Sequence, residues 1–346
     1  MDYTVCGISP HEYWAMEEVD ALLQQEGIQR DKNLDYTCVI YDDDLHVIAT
    51  GSCFRNTLRC FATSNEYQGE GLLSQVVTHL MEYQAARGNL HLFLYTKPDS
   101  APFFQDLGFH EIARVPDRVV FMENRRNGFP DFLAELSHTR RAGSSAAVVM
   151  NANPFTLGHQ YLAEQASASC DTLHLFIVSE DLSLVPFSVR RRLVEEGTAH
   201  LNNVVLHDCG PYIISSATFP SYFLKDETAV IEGQARLDIT VFRRIAEACG
   251  ITARWAGEEP SSQVTGLYNR IMAEELPKAG ITFREIPRRE SGGAPVSASK
   301  VRLLLCDGNY EALKDLLPAS TLSYFQCPEA EPVLERIRAA EEVVHY

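Results

Sequence analysis

Positive charge is what this sequence has least of. Thirty Lys and Arg stand against 47 Asp and Glu, a formal net charge of −17, with a pI near 5.1. That balance excludes a nucleic-acid backbone as the main partner, and any polyanion the chain does bind must meet bases gathered locally. No apolar run approaches the ~20 residues that span a bilayer, so no membrane helix is expected. The opening MDYTVCGISPHEYW lacks a basic stretch followed by an apolar one, so no secretory signal is expected and the setting is read as cytoplasmic. Paired cysteines are missing too: the nine, at 6, 38, 53, 60, 170, 209, 249, 306 and 327, include no C-x-x-C. An odd, scattered set is expected as reduced thiols, not as a disulfide framework or a zinc site. Internal repeats and low-complexity tracts are also absent.

What remains is an ordinary globular composition, 45% hydrophobic and 22% charged, over 346 residues. That length exceeds what one core usually serves, so two domains are expected. The break falls in HTRRAGSSAAVVM, where a charged helix end meets Gly143-Ser144-Ser145 and then a new apolar strand, dividing the chain into 1–142 and 143–346. The first part reads as α+β. A hairpin, DYTCVIYD and HVIATGSCF, turns through three aspartates; strand LRCFATS, a glycine turn and helix LLSQVVTHLMEYQAARG follow. Then come strand LHLFLYT, a short helix in APFFQDLGF and strand RVVFMEN.

The second part alternates. Strand AAVVMN leads to a helix over 158–169, strand LHLFIV, helix SVRRRLVEEGTAHL and strand NVVLH. Helix DITVFRRIAEACG, strand ITARWAG, helix TGLYNRIMAEEL and strand ITFREI continue it, and EPVLERIRAAEEVVHY reads as a terminal amphipathic helix. Gly250 and Gly280 stand where helices should stop with positive φ. Such alternation implies an α/β fold, a parallel sheet with helices on both faces and ligands beyond the carboxyl ends of its strands.

One such end is NANPFTLGH, where Asn151, Asn153, Pro154, Phe155, Thr156, Gly158 and His159 lie between strand and helix. A helix start carries unpaired N–H groups and about half a positive charge, so it attracts anions. Thr156 adds a hydroxyl, Gly158 a close backbone approach and His159 an imidazole, a set suited to phosphate oxygens. The same letters also suit a threonine cap with a histidine packed on the first turn. A second segment, APVSASKVRLLL, shifts the balance: Ser297 and Ser299 accompany a helix start whose opening turn holds Lys300 and Arg302. Bases there oppose the macrodipole, and an anion shared with Arg302 removes the conflict.

NPFTLGH resembles the T/H-x-G-H motif of the nucleotidyltransferase superfamily, and VSASKVR resembles its second motif, I-S-S-T-x-x-R. The resemblance implies a Rossmann-like nucleotidyltransferase domain in which both motifs clasp the triphosphate of ATP. Thr156 and His159 face it from the first motif, and Ser297, Ser299 and Arg302 from the second, with Lys300 beside them. At greater length MNANPFTLGHQYL, YIISSATFPSYFLK, GEEPSSQVTGLYN and SASKVR, in that order, resemble the citrate lyase ligase family. This implies an AMP-forming acid–thiol ligase. It would use ATP and acetate to acetylate the thiol of the dephospho-CoA-type prosthetic group on the citrate lyase acyl carrier subunit.

In that chemistry acetate attacks the α-phosphorus, pyrophosphate leaves, and the thiol takes the acetyl group from acetyl-AMP. His159 and Arg302 are assigned to the charge growing on the phosphates, with Thr156, Ser297 and Ser299 as neutral donors and Mg²⁺ bridging the β- and γ-phosphates. With an ordinary pKa of about 6.5 His159 could instead be a general base, although acetate is already ionised at neutral pH. A further base closing on the triphosphate is expected from Arg190, Arg191 or Lys225. Glu258 and Glu259 are expected to meet adenine, ribose or metal.

In the first part, NEYQGEGLLSQVV resembles the Q/R-x-x-G-x-G/A loop of the GNAT acetyltransferases, with Gln68, Gly69 and Gly71 in the loop. The resemblance implies a GNAT-like α+β domain whose loop N–H groups cradle a coenzyme A pyrophosphate. Leu73 replaces the final small residue, and Phe104 stands where a tyrosine often serves as acid. Binding without acetyl-transfer chemistry is therefore expected, the domain gripping the pantetheine arm of the carrier. Two other functions fit the same letters: an adenylyltransferase acting on a phosphorylated small molecule, or a protein that senses nucleotide and coenzyme A.

Overall fold

The computed structural model describes residues 3–179, 182–213, 227–258 and 263–340. Their contacts gather into two compact units: residues up to 132 with the described part of 218–240, and the described parts of 133–217 and 241–346.

The first unit opens with β1 (Val5–Ile8) and α1 (Tyr13–Gln25), then a meander of β2 (Tyr36–Tyr41), β3 (Val47–Phe54) and β4 (Thr57–Thr63). After α2 (Leu72–Ala86) come β5 (Phe93–Thr96), α3 (Ala101–Asp106), the hairpin β6 (His110–Val115) with β7 (Val119–Glu123), and α4 (Gly128–Ser137). The strands form one sheet in the order β1-β2-β3-β4-β5-β7-β6, in which β4 and β5 pair in parallel. The aspartate hairpin closes on its first member: the Asp42 carboxylate accepts the N–H groups of Asp44 and His46 at 3.0 and 2.8 Å. Helix α2 buries Leu72, Val76, Val77 and Leu80, one helical stripe, against this sheet. Three elements go beyond the expected order, the first being β1, which pairs antiparallel with β2 at one edge of the sheet. Helix α1 buries Ala15, Met16, Val19, Leu22 and Leu23, a clear helical period. Strand β6, HEIARV, lies at the sheet edge, where polar residues blur the alternation.

Further along the chain, β8 (Ser145–Met150), α5 (Leu157–Ser167), β9 (Thr172–Ile177), α6 (Phe187–Thr198) and β10 (Val204–Asp208) alternate as expected. They are followed by α7 (Glu227–Cys249), β11 (Ala253–Gly257), α8 (Gln263–Glu275) and β12 (Thr282–Ile286). A two-residue hairpin, β13 (Glu290–Ser291) and β14 (Ala294–Pro295), leads to α9 (Ala298–Cys306), α10 (Tyr310–Leu313), α11 (Ala319–Gln326) and α12 (Glu331–Ala339). The second sheet runs β10-β9-β8-β11-β12, and every pairing in it is parallel.

Strands β8 and β9 are buried almost throughout. That is why they read as apolar runs and not as alternation, as strands covered on both faces do. Connectivity reverses direction between β8 and β11, which makes the gap between their carboxyl ends the switch point where ligands of such sheets bind. Gly250 and Gly280 take φ of 73° and 74° at the expected stops. The terminal helix reaches Ala339; its remaining expected length, 341–346, lies outside the described residues. Among the described residues no helix is long and apolar enough to cross a membrane.

Candidate functional site

The end of β8 feeds a tight loop. The chain passes Ala152 at φ 53°, crosses a cis Asn153–Pro154 bond and enters α5 at Thr156. Asn153, Pro154, Phe155 and Thr156 are buried. The Asn153 Oδ1 accepts the Val185 N–H at 3.0 Å, and the Phe155 ring stacks on His159 with centroids 5.8 Å apart. These residues hold the loop's shape, so what they can offer a ligand is backbone.

Thr156 and His159 cap each other. The Thr156 hydroxyl accepts the His159 N–H at 3.4 Å; in return His159 Nδ1 accepts the Thr156 N–H at 3.1 Å, with the hydroxyl 2.9 Å from that nitrogen. Histidine thus fills the place that Glu or Gln takes in a capping box. Because Nδ1 accepts, the neutral ring carries its proton on Nε2. Burial, reinforced by the positive charge of Arg288, pushes the imidazole pKa down to about 4. Of the two roles open to His159, the arrangement therefore favours donation: Nε2 presents an N–H, and Nδ1 is occupied. The helix start itself is less open than a bare one, since the Leu157 N–H donates to the Leu316 carbonyl at 2.9 Å.

Helix α9 supplies the second set. Ser297 caps it by accepting the Lys300 N–H at 3.2 Å, and the Lys300 side chain is exposed. Arg302 is only 2% exposed. Its Nη1 donates to the Asn153 carbonyl at 2.6 Å and its Nη2 to Ser299 Oγ at 3.3 Å. Burial lowers its pKa to about 10, so it stays charged at neutral pH. Gly158 lies tight against the second segment: a Cβ there would lie 3.2 Å from the Val296 carbonyl oxygen, closer than most Cβ contacts. Two segments 149 positions apart thus meet beside the switch point.

The other expected bases fare differently. Arg190 is fully buried. Its Nη1 donates to the Asn151 carbonyl, the Asn151 Oδ1 and the Val178 carbonyl, each at 2.8 Å, and its Nε to the Val185 carbonyl at 3.0 Å. A guanidinium held by four oxygens fastens the loops after β8 and β9 together and does not swing over a ligand. Asn151 belongs to the same knot, its Nδ2 donating to Ser183 Oγ at 3.1 Å. Arg191 pairs with Asp208 at 2.9 Å and Glu195 at 3.2 Å on the surface, and those bonds do not tie it to the Thr156–His159 loop. Lys225 and Glu259 lie outside the described residues.

Glu258 is exposed just past β11, and its backbone carbonyl accepts from Arg288 Nε at 2.7 Å. Arg288 is the base at this site that the sequence reading missed. Its signal was legible: Arg288-Arg289 comes one residue past the last parallel strand, at the edge where ligands gather, in a chain short of positive charge.

The first unit holds a cavity of about 600 Å³. Strands β4 and β5 pair only through Thr57 with Phe93 and Leu58 with Leu94, although β4 continues to Thr63 and β5 to Thr96. Past Cys60, whose φ of 54° interrupts β4, the strands part and the cavity opens between Thr63 and Thr96. Gln68, Gly69 and Gly71 close one side. Gly69 and Gly71 have φ of 90° and 75°, conformations that side chains resist. Gly71 starts α2 with no side-chain cap, so the first-turn N–H groups of α2 take no partner from a capping side chain. Leu73 also lines the cavity. Phe104 is buried among Phe61, Phe103 and Phe109 at 5.2–6.3 Å between centroids, and a phenyl ring has no proton to give.

A family model described as the citrate lyase ligase C-terminal domain matches residues 145–325. The citrate (pro-3S)-lyase ligase of Klebsiella pneumoniae is 39% identical over 322 residues, 91% of this chain and 94% of that protein. The ligase of the same name from Haemophilus influenzae is 38% identical over 315 residues, 89% of this chain and 94% of that one. Among solved structures, a GNAT-family acetyltransferase from Staphylococcus aureus covers 35% of this chain and 100% of its own, with TM-score 0.30 and 14% identity. A candidate nicotinate-nucleotide adenylyltransferase from Vibrio parahaemolyticus covers 57% and 97%, with TM-score 0.35 and 17% identity.

Proposed function

The chain belongs to the citrate lyase ligase family, and from that premise we propose that it joins acetate to a carrier thiol by way of acetyl-AMP. The acetate oxygen attacks the α-phosphorus of ATP and pyrophosphate leaves. The thiol of the dephospho-CoA-type group on the citrate lyase acyl carrier subunit then attacks the acetyl carbon, and AMP leaves. No covalent bond to the protein is needed, so the chain's task is to bring two anions together and stabilise the charge that grows on the phosphates.

The observation that carries this reading is the meeting of the Asn153–His159 loop with the Ser297–Arg302 helix start through Arg302 and the Asn153 carbonyl. In it, His159 donates Nε2–H and Arg302 supplies fixed charge. Thr156 orients the imidazole, and Ser297, Ser299 and Lys300 offer donors from α9. Mg²⁺ enters with the nucleotide, since it favours phosphate oxygens over protein cages. Among the described residues no group of three or more His, Cys, Asp or Glu could hold it. Residues 143–346 form the adenylylating part and 1–142 the part that receives the pantetheine arm, drawn into the cavity between β4 and β5 past Gln68, Gly69 and Gly71. With Phe104 in place of a proton donor, that part binds and aims and does not catalyse.

Incubation with ATP, Mg²⁺ and acetate, with hydroxylamine as a trap, tests the reading. Acetohydroxamate and AMP are expected. A stable dinucleotide formed only with a phosphorylated acceptor would replace the ligase by an adenylyltransferase, and binding without turnover would leave a sensor. His159→Gln and His159→Ala should slow adenylylation across the whole range from pH 5.5 to 9, by about 10²-fold for the alanine. Recovery at high pH would instead mark His159 as a base.

A further inference from the structure

The switch point has a cation that the two motifs do not account for. Arg288 follows the end of β12 and is half-buried. Its Nε donates to the Glu258 carbonyl at 2.7 Å, while the Glu258 N–H donates to the Ile286 carbonyl at 2.9 Å. The side chain is therefore folded back from the end of β12 across the end of β11. On its other side β11 pairs with β8, whose loop delivers His159, and the charge of Arg288 reaches that imidazole.

The backbone beside it is held to the same place. The Val296 N–H donates to the Arg289 carbonyl at 2.9 Å, and the Val296 carbonyl is the group that crowds Gly158. Within 288–302 the sequence gathers Arg288, Arg289, Lys300 and Arg302 against the single acid Glu290. Like charges packed into one segment repel, and a helix start disfavours them further. An anion that comes near this segment is attracted by all four.

We infer that Arg288 is the cation that meets the polyphosphate of the nucleotide from the β12 side, opposite His159, the task expected from Arg190, Arg191 or Lys225. This rests on the adenylylating reading and adds to it a third point of contact, contributed by the segment that joins the last strand to α9. The Glu258 carbonyl fixes the Nε end of the guanidinium at the end of β11.

The test compares wild type with Arg288→Ala and Arg288→Lys by calorimetric titration of ATP over a range of salt, and by NMR titration of the His159 ring in the nucleotide-free proteins. Arg288→Ala should weaken ATP binding by roughly tenfold or more, as loss of a charge-assisted contact does, and flatten its salt dependence. Arg288→Lys should recover most of the affinity. The His159 pKa should rise in the alanine variant, which a residue remote from the site would not cause; circular dichroism confirms that the variants are folded. If wild type binds ATP and Arg288→Ala binds it within about twofold, the inference falls while the adenylylating reading stands. If wild type binds no ATP, the adenylylating reading falls first and takes this one with it. An unmoved His159 pKa would refute the geometry whatever ATP does.

Discussion

Each unit of this protein builds its candidate site where a strand gives way to a helix, and the two helix starts are finished in opposite ways. At α2 the chain arrives through Gly69 and Gly71, no side chain caps the helix, and the opening faces a cavity between parting strands. At α5 the start is sealed by Thr156, His159 and Leu316, and the groups left to act are an imidazole N–H and an arginine from another segment. The first arrangement suits recognition by backbone and shape. The second suits recognition by charge and fixed donors, which is what a reaction that builds up negative charge requires. Glycine serves both sites for different reasons: Gly71 for its φ of 75°, with nothing within 4 Å of an added Cβ, and Gly158 for the Val296 carbonyl that an added Cβ would press.

The comparison breaks most sharply at Arg302. Arg302→Ala should cut acetate-dependent pyrophosphate release by about 10²–10³, and Arg302→Lys should not restore it, because lysine cannot reach the Asn153 carbonyl and Ser299 together. Binding of the acyl carrier, measured separately, should be unchanged; equal loss of both would erase the distinction between the sites. The glycines come next. Gly71→Val should raise the carrier concentration needed for half-maximal acetylation by about tenfold through the strain of a β-branched residue at positive φ, while leaving pyrophosphate release alone. Gly71→Asn should be milder, since asparagine tolerates that conformation. Gly158→Ala should do the reverse, lowering pyrophosphate release with carrier binding intact.

The smallest effect expected is on acid stability. His159 is joined in the second unit by His174 and His207, whose rings bond to each other at 2.8 Å. Burial pushes both down to about 4, with Arg141 adding to the effect on His174 and His174 to that on His207. Between the ordinary histidine pKa of about 6.5 and about 4, the unfolded chain takes up protons that the fold refuses. The stability these rings contribute is therefore complete above that window and is lost as pH falls through it. Melting temperatures recorded from pH 7 to 4.5 should decline, and His207→Gln should remove part of the decline.

Much of this was legible before any coordinates. The apolar runs of β8 and β9, the stops at Gly250 and Gly280 and the three-aspartate hairpin are local patterns, set by periodicity and turn chemistry. The two phosphate-type segments were legible because bases at a helix start contradict a purely structural purpose. Strand β6 was not, since an edge strand need not alternate. Arg190 misled because a base in the first turn of a helix reads the same whether it is solvated or, as here, locked among carbonyl oxygens.

What the sequence alone determined is most of the order of strands and helices and the identity of the residues delivered to the sheet's carboxyl edge. Only the tertiary structure decided which of them meet and in what charge state. The neutral His159 depends on burial and on Arg288, and Arg302 finds its carbonyl 149 positions away. Charge state and contact follow from desolvation and from neighbours that folding brings near, and neither is written in the spacing of residues along a chain.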